Sequence, residues 1–486
     1  MRTVLVLSVL GSVASSVSVY AFTRPEGHSP TASAALTQAT PAAAVRVSNR
    51  FAVDDTVALE GRVGHGHLVA GGERETYIAL EARGTQPSGT VRPPLSVALV
   101  IDRSGSMEGS RIAQAIRAAR GVVDRLSDGD LVTVVSFDDT ARLMAPATEL
   151  NSESRKSIGE AIDRIGLGDT TCISCGVDMA MTELMKHTGR VHQMVVLSDG
   201  QANMGIQKSS AFTELATTAR SRGIAISTVG VGLGYDERHL AAISAGSNGQ
   251  HHFVENDAGL PTLFEAVAKS FASTVASDVR AEIDLDEGVE LVEVLDRSFE
   301  RQGKKIIVSL GSLSRGEAKT VLMKVRLPAS ESSIASVAKV ALRYQDHVRK
   351  KQAMQSGLLQ VAVAASGSAR ANLDPFVAER IERSRTGALL EETNELLRNG
   401  KTAEAERKLA KREEELAALE DKLSKDSLSD DRRADIDRQI KAQKRVTARA
   451  KSDLTPSASA GAAPPKPAQV APSVKQNQVD AFRSQL

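Results

Sequence analysis

Three short segments carry carboxylates and hydroxyls at spacings that suit a hard metal ion. Asp102, Ser104 and Ser106 alternate in a turn that follows an apolar run. Asp199 follows a second apolar run and precedes a glycine, and Thr171 lies between the two segments. Hard divalent cations prefer oxygen ligands. A site with few carboxylates and several hydroxyls leaves such a cation short of negative charge, so it can accept a carboxylate from another molecule.

The same residues also have simpler explanations. Asp102 and Ser104 are residue types that cap helices, and an aspartate followed by glycine at 199–200 is typical of a turn. Capping alone would not bring Thr171 and Asp199 to the same place. A shared binding site is therefore the better interpretation.

The elements around these residues alternate between strand and helix. Residues 95–101 form a continuous apolar run, as expected for a strand that is buried on both faces. Such alternation predicts an α/β domain at 95–277 with a doubly wound, mostly parallel sheet, whose carboxyl ends would hold both carboxylates. The other predicted strands are 131–137, a short edge strand 142–145, 194–197, 225–231 and 251–254, and the predicted helices are 111–126, 154–165, 176–187, 212–222, 237–245 and 260–276.

Strand patterns without intervening helices flank this domain on both sides. They occupy 51–94 before it and 278–366 after it. Domains are commonly inserted where chain ends lie close together. The two flanking segments are therefore expected to form one β-sandwich-like unit into which the α/β domain is inserted.

The pattern D-x-S-x-S at 102–106 resembles the metal-ion-dependent adhesion site of the von Willebrand factor type A domain. The resemblance covers residues 95–276 and includes the stretches 228–232 and 249–254. It implies a site for Mg²⁺ or Mn²⁺, with Ca²⁺ as an alternative. Thr171 matches the threonine of the family because Gly176 follows five residues later, while Thr170 is the alternative. The ligands that it implies are Asp102, Ser104, Ser106, Thr171 and Asp199.

The resemblance also implies a function. Domains of this family typically bind proteins and are not enzymes, and the ligand often supplies an acidic side chain that completes the coordination of the metal. The flanking strand segments are similar to those of bacterial extracytoplasmic members, although that similarity is less specific.

Cys172 and Cys175 are the two cysteines of the chain and follow directly on Thr171. In an oxidising compartment they would form a disulfide that shapes the neighbouring loop. The loop that it closes is very short, so little unfolded-state entropy is removed. A C-x-x-C pair can also be redox-active, which leaves a thiol–disulfide protein as an alternative function.

The N-terminal residues indicate the compartment. Residues 1–21 combine Arg2 with an apolar stretch, a pattern typical of a signal peptide, with an uncleaved membrane anchor as the alternative. Either reading predicts a secreted or cell-envelope protein, in contact with a membrane only through such an anchor. A linker follows at 22–50. The formal charge of +1, the absence of Trp and the 3% aromatic content argue against nucleic-acid binding.

The end of the chain changes composition twice. Residues 374–453 are rich in charge of both signs and carry leucine stripes, which predicts a helical hairpin or short coiled coil. Residues 454–486 are rich in Pro, Ala, Ser and Gln and are expected to be disordered. A structural envelope protein that binds through these helices is the third functional hypothesis.

Overall fold

The computed structural model describes residues 48–85, 93–199, 201–329, 334–369, 371–424, 430–454 and 467–485. The predicted signal peptide or anchor at 1–21 and nearly all of the predicted linker at 22–50 lie outside these residues. None of the described helices is both long enough and apolar enough to cross a membrane.

The described chain begins with a β segment, as the alternating pattern predicts. Its edge strand is short, and the longer strands bury alternate side chains on one face. The four strands are β1 (Arg50–Val53), β2 (Val57–Val63), β3 (His67–Val69) and β4 (Glu75–Gly84).

A six-stranded sheet forms the centre of the α/β domain. Its strands are β5 (Leu95–Asp102), β6 (Leu131–Phe137), β7 (Ala141–Glu149), β8 (Val191–Ser198), β9 (Ile224–Val231) and β10 (His251–Val254). The spatial order is β10-β9-β8-β5-β6-β7, and every pair is parallel except β6 with β7. All positions of β5 are buried, since helices cover both faces of the sheet.

The helices on the two faces of the sheet pack against alternate side chains of the same strands. Val97 and Leu99 of β5 pack in one core cluster with α1 and α6, whereas Ala98 and Val100 pack in another with α3, α4 and α5. The doubly wound α/β prediction is confirmed. The helices are α1 (Ser110–Arg125), α2 (Ser152–Asp163), α3 (Ile173–Leu184), α4 (Ser209–Ser221), α5 (Glu237–Ser247) and α6 (Leu260–Ala272).

Helix α3 begins three residues before the predicted start at 176. Ile173 and Val177 are four residues apart and are both buried against the sheet. They therefore share one helix face, and their burial extends the helix through the C-x-x-C segment.

The second β segment completes a sandwich with the first. Its strands are β11 (Thr274–Leu285), β12 (Glu290–Leu295), β13 (Glu300–Gln302), β14 (Lys305–Ser314), β15 (Ala318–Arg326), β16 (Ile334–Asp346) and β17 (Lys351–Ala364). One sheet has the order β1-β2-β4-β15-β12 and the other β13-β14-β11-β16-β17-β3. Both sheets contribute to one apolar core. Strands from both sides of the α/β domain therefore build one unit, with the α/β domain inserted between β4 and β11.

The C-terminal region differs from the prediction in two respects. Residues 374–453 contain three helices instead of the two of a hairpin, and the segment 454–486, expected to be disordered, contains a further helix. These are α7 (Pro375–Arg398), α8 (Thr402–Ser424), α9 (Asp430–Ser452) and α10 (Pro467–Gln485). Val474 and Ala481 of α10 are buried in a cluster with leucines of α7 and α8. The richness of the segment in Pro, Ala, Ser and Gln does not indicate this helix, because its stability depends on tertiary packing with other helices.

Candidate metal centre

The candidate site lies where the order of the parallel strands reverses. The chain passes from β5 to β6 on one side and later returns to β8 on the other side. Ile101 of β5 pairs with Leu197 of β8, which places Asp102 beside Ser198 at the carboxyl ends of the two strands. Crevices at such reversals are the usual ligand sites of open α/β sheets.

Two hydrogen bonds hold the Asp102 carboxylate. The backbone N–H of Ser104 donates to Oδ1 over 2.8 Å, and the Ser198 hydroxyl donates to Oδ2 over 2.5 Å. All three residues are buried. The carboxylate is thus fixed in place before any ligand arrives.

A chain of hydroxyls links this turn to Asp199. The Ser104 and Ser106 hydroxyl oxygens lie 3.1 Å apart, and the Ser106 hydroxyl donates to Oδ1 of Asp199 over 2.6 Å. The fold therefore brings together four of the five residues predicted as ligands. Asp102, Ser104 and Asp199 are buried, whereas Ser106 is exposed and marks the side that is open to solvent.

Thr171, the fifth predicted ligand, is positioned by its backbone. Its N–H donates to the Oδ1 of Asn203 over 2.7 Å, and its carbonyl accepts from the N–H of Met204 over 3.2 Å. The same loop meets the serine turn, because the N–H of Gly105 donates to the carbonyl of Asp169 over 3.1 Å. The loop that contains Asp169 and Thr171 therefore contacts both the turn after β5 and the loop after β8.

Thr170, the alternative ligand, has a different environment. Its Oγ1 atom is buried and has no hydrogen-bond partner among the described residues. A buried hydroxyl without a partner costs free energy unless it finds one. The loop before α3 therefore contains a buried hydroxyl whose hydrogen-bonding capacity is unused.

The electrostatics of the site favour an added cation. Burial, with a smaller contribution from the charge of Asp199, raises the pKa of the Asp102 carboxyl to about 6. One cation reaches the pair, since the Arg111 guanidinium donates to Oδ2 of Asp199 over 2.6 Å and also to the Ser106 carbonyl. Asp199 thus has one positively charged partner, whereas the hydrogen bonds to the Asp102 carboxylate come from neutral groups, and neutral hydroxyls supply the other oxygens. This donor set suits Mg²⁺ or Mn²⁺.

The hydroxyls are essential to that conclusion. Within the described part of the chain, no group of three or more His, Cys, Asp or Glu side chains is arranged to hold a metal ion. A softer metal that requires nitrogen or sulfur ligands is not matched by this donor set.

A buried ion pair beneath the site was not predicted from the sequence. Arg103 lies between the first two predicted ligands, and its guanidinium pairs with the carboxylate of Asp138. The same guanidinium donates to the carbonyls of Gly166 and Leu167 over 3.3 Å each. Asp138 directly follows β6, as Asp102 ends β5, so its position at a strand end was a usable signal.

Arg111 and Asn203 were also not predicted from the sequence as residues of the site. Arg111 is a half-buried residue in the first turn of α1, and Asn203 lies in a loop of polar and small residues. Their contacts with Asp199 and Thr171 arise only when separate loops meet at the sheet edge.

Cys172 and Cys175 form a disulfide at the start of α3, with Cα atoms 5.3 Å apart. Cys172 is buried, and a Cβ atom at Gly205 would lie 2.6 Å from its sulfur. The N–H of Ile206 donates to the Ser174 hydroxyl over 3.1 Å. The disulfide thus packs against the same loop that holds Thr171.

Comparison with known proteins identifies the family of the α/β domain. The model of the von Willebrand factor type A domain matches residues 96–266. The chain is 24% identical over 320 residues to the uncharacterized protein sll0103 of Synechocystis, covering 64% of this chain and 75% of that protein. It is 22% identical over 272 residues to the uncharacterized protein YfbK of Escherichia coli, covering 54% of this chain. That match spans 47% of YfbK, so it covers about half of its length.

Two solved structures share the fold over most of the chain. A von Willebrand factor type A protein from Catenulispora acidiphila superposes with a TM-score of 0.64 at 16% identity, covering 74% of this chain and 87% of that one. The ArnB paralog VWA2 from Sulfolobus acidocaldarius superposes with a TM-score of 0.58 at 16% identity, covering 89% of this chain and 97% of that one. At these identities the similarity concerns the fold.

Proposed function

Residues 96–266 of this chain form a von Willebrand factor type A domain, and we propose that the domain captures a protein partner through a divalent cation at the carboxyl edge of its sheet. Asp102, Ser104, Ser106, Thr171 and Asp199 would hold Mg²⁺ or Mn²⁺ directly or through water. The ion would supply a positive centre for an acidic side chain of the partner.

The observation that carries this proposal is the continuous contact from Ser104 through Ser106 to Asp199. The two contacts measure 3.1 and 2.6 Å and join residues from two loops at the strand reversal. The exposed Ser106 gives a partner access, and the buried Asp102 and Asp199 provide negative charge below it.

We place this function outside the cytoplasm. The apolar N-terminal segment at 1–21 supports export, and the Cys172–Cys175 disulfide is compatible with an oxidising compartment. In this proposal the disulfide has a structural role and fixes the start of α3 directly after Thr171.

A thiol–disulfide exchange activity gains no support from the geometry. Exchange requires a thiolate to reach a disulfide sulfur. Cys172 is 1% exposed and lies against Gly205. A partner protein would have to displace that loop to reach the Cys172 sulfur, and Cys175 is half-buried.

The proposal is tested by titrating the purified chain with Mn²⁺ and following proton relaxation. Wild type is expected to bind Mn²⁺ saturably and Asp199→Ala to lose that binding. Asp124→Ala is a matched control because Asp124 is an exposed aspartate on α1 of the same domain. Circular dichroism establishes that each variant is folded. Equal Mn²⁺ binding by all three folded proteins would refute the site.

A further inference from the structure

The loops that surround the metal centre expose large apolar side chains. Nine large hydrophobic residues are exposed within the described part of the chain, and three of them lie in these loops. Leu167 and Met204 are each 44% exposed, and Leu233 is 41% exposed. Single exposed apolar residues are ordinary on protein surfaces, but a cluster around a polar site indicates a contact surface.

Each of the three residues lies in a backbone segment that contacts a predicted metal ligand or a residue adjacent to one in sequence. The Leu167 carbonyl accepts from Arg103, which lies between Asp102 and Ser104. The Met204 N–H donates to the carbonyl of Thr171. Their places beside the centre are therefore set by the same contacts that build it.

Leu233 is placed by the two glycines that flank it. A Cβ atom at Gly234 would lie 3.3 Å from the carbonyl of Asp199, and one at Gly232 would lie 3.3 Å from the guanidinium of Arg111. The loop after β9 thus runs closely past the Asp199–Arg111 pair. We call Leu167, Met204 and Leu233 the apolar rim.

We propose that the apolar rim binds hydrophobic side chains that flank a single carboxylate in a polypeptide partner. This inference rests on the proposed function, because the carboxylate would occupy the metal centre. Charge complementarity supports it, since the positively charged Arg111 side chain is 39% exposed at the edge of the site. The rim residues come from three separate loops, so they would contact apolar residues on more than one side of that carboxylate.

The surrounding charges argue against a partner with several adjacent acids. Glu108 and Asp169 are exposed carboxylates in the turn and loop that form the site. Additional negative groups on a partner would meet these carboxylates with like charge, which disfavours association. A carboxylate between apolar neighbours satisfies both the centre and its rim.

The test uses three immobilised peptides on a biosensor surface in the presence of Mg²⁺. Their central residues are Leu-Asp-Leu, Ser-Asp-Ser and Leu-Asn-Leu, between identical glycine and serine flanks. The full chain is expected to bind the Leu-Asp-Leu surface about tenfold more tightly than the Ser-Asp-Ser surface, because apolar area is removed from water. The Leu-Asn-Leu surface is expected to bind little because it lacks the carboxylate.

Variants assign this preference to the rim. Met204→Ser and Leu233→Ser are each expected to weaken binding to Leu-Asp-Leu by about threefold to tenfold and to leave Ser-Asp-Ser nearly unchanged. Met354→Ser is the control, because Met354 is 56% exposed and lies in β17 of the sandwich. Equal binding of the two aspartate peptides, or equal losses in Met204→Ser and Met354→Ser, would overturn the inference.

The Asp199→Ala variant separates this inference from the proposed function. If wild type binds Mn²⁺ but binds Leu-Asp-Leu no more tightly than Ser-Asp-Ser, the role of the apolar rim is refuted and the metal site is still supported. Leucine-dependent binding that persists in Asp199→Ala and without Mg²⁺ refutes the proposed metal-dependent capture. Loss of all peptide binding in Asp199→Ala, with the rim preference intact in wild type, supports both.

Discussion

The Ser106 hydroxyl donates a hydrogen bond of 2.6 Å to Oδ1 of Asp199, a residue 93 positions further along the chain. Ser106 lies in the turn after β5 and Asp199 directly after β8. Their contact joins the two halves of the candidate site through the protein's own side chains. The protein therefore holds its oxygen ligands close together in advance, which lowers the ordering cost of binding.

Arg111 is expected to oppose metal binding. Its guanidinium lies 2.6 Å from Oδ2 of Asp199 and places a positive charge where a cation would bind. Replacing it in Arg111→Met removes that repulsion and frees a carboxylate oxygen. We expect Mn²⁺ to bind about threefold to tenfold more tightly, with a larger gain at low ionic strength. Calorimetric titration measures this change.

Arg117→Met provides the control for that prediction. Arg117 is an exposed arginine on the same helix, so its loss changes the net charge equally. Its effect on Mn²⁺ affinity is expected to be less than twofold. Weaker Mn²⁺ binding in Arg111→Met would mean that the guanidinium chiefly orients the Asp199 carboxylate.

Gly205 is expected to tolerate no side chain. Its φ of +66° is unfavourable for other residues, and an added Cβ atom would lie 2.6 Å from the Cys172 sulfur. Gly205→Ala should lower the free energy of unfolding by the backbone cost of about 1 kcal/mol and by about 1–3 kcal/mol of overpacking. Urea denaturation measures the total.

Gly189→Ala isolates the backbone contribution. Gly189 has a φ of +76° and no atom within 4 Å of an added Cβ. Its substitution is expected to cost about 1 kcal/mol. Equal losses in the two variants would show that the loop over the disulfide moves away at little cost.

Removing the disulfide is expected to affect the metal site more than the fold. The bond closes a loop of very few residues, so Cys172→Ala with Cys175→Ala should lower the free energy of unfolding by about 2 kcal/mol. Thr171 immediately precedes the bond, and its loop should become less ordered. We expect several-fold weaker Mn²⁺ binding, which relaxation titration detects. Unchanged Mn²⁺ affinity would mean that Thr171 is held in place by its hydrogen bond to Asn203 and not by the disulfide.

Acid is expected to loosen the attachment of α10 to the α/β domain. Burial disfavours ionisation of Glu237, but Lys475 of α10 and Arg398 of α7 outweigh it and hold the pKa of the carboxyl below 4.5. A carboxylate with a lowered pKa contributes stability that is present above pH 4.5 and lost as the pH falls through the lowered value. Thermal unfolding between pH 3 and pH 7 follows this loss.

Glu237→Gln is expected to remove part of this dependence and to cost about 3 kcal/mol at pH 7, because Lys475 is left buried beside a neutral group. Glu395→Gln is the matched control. Glu395 also pairs with Arg398, but its side chain is 62% exposed, so a small effect is expected. Similar decreases in the free energy of unfolding in both variants would contradict the conclusion that the buried Glu237 contributes more than the exposed Glu395.

The sequence was sufficient to predict the parts of the fold that depend on local pattern. Fully apolar runs such as 95–101 predict strands that are buried on both faces, and residues 95–102 do form the central strand β5. The proximity of Asp102 to Asp199 followed from a general property of parallel sheets, whose strand ends meet at one edge.

Other features depend on contacts that no local pattern encodes. The hydrogen bond from Ser198 to Asp102 and the ion pair from Arg111 to Asp199 arise between residues far apart in the chain. Helix α10 was not predicted because its stability comes from packing on α7 and from the ion pair of Lys475 with Glu237. Lys475 is only 4% exposed. Composition alone indicated disorder, since the segment is rich in Pro, Ala, Ser and Gln.

The junction between α6 and β11 has a mechanical consequence. Only Ser273 separates the end of α6 at Ala272 from the start of β11 at Thr274. The Ser273 carbonyl accepts from Arg315, and the Ser314 hydroxyl donates to the carbonyl of Ser270. Because the connection is one residue long, α6 cannot shift along its axis unless the start of β11 moves with it. At this junction, a displacement of α6 along its axis would therefore be passed on to the first residues of β11.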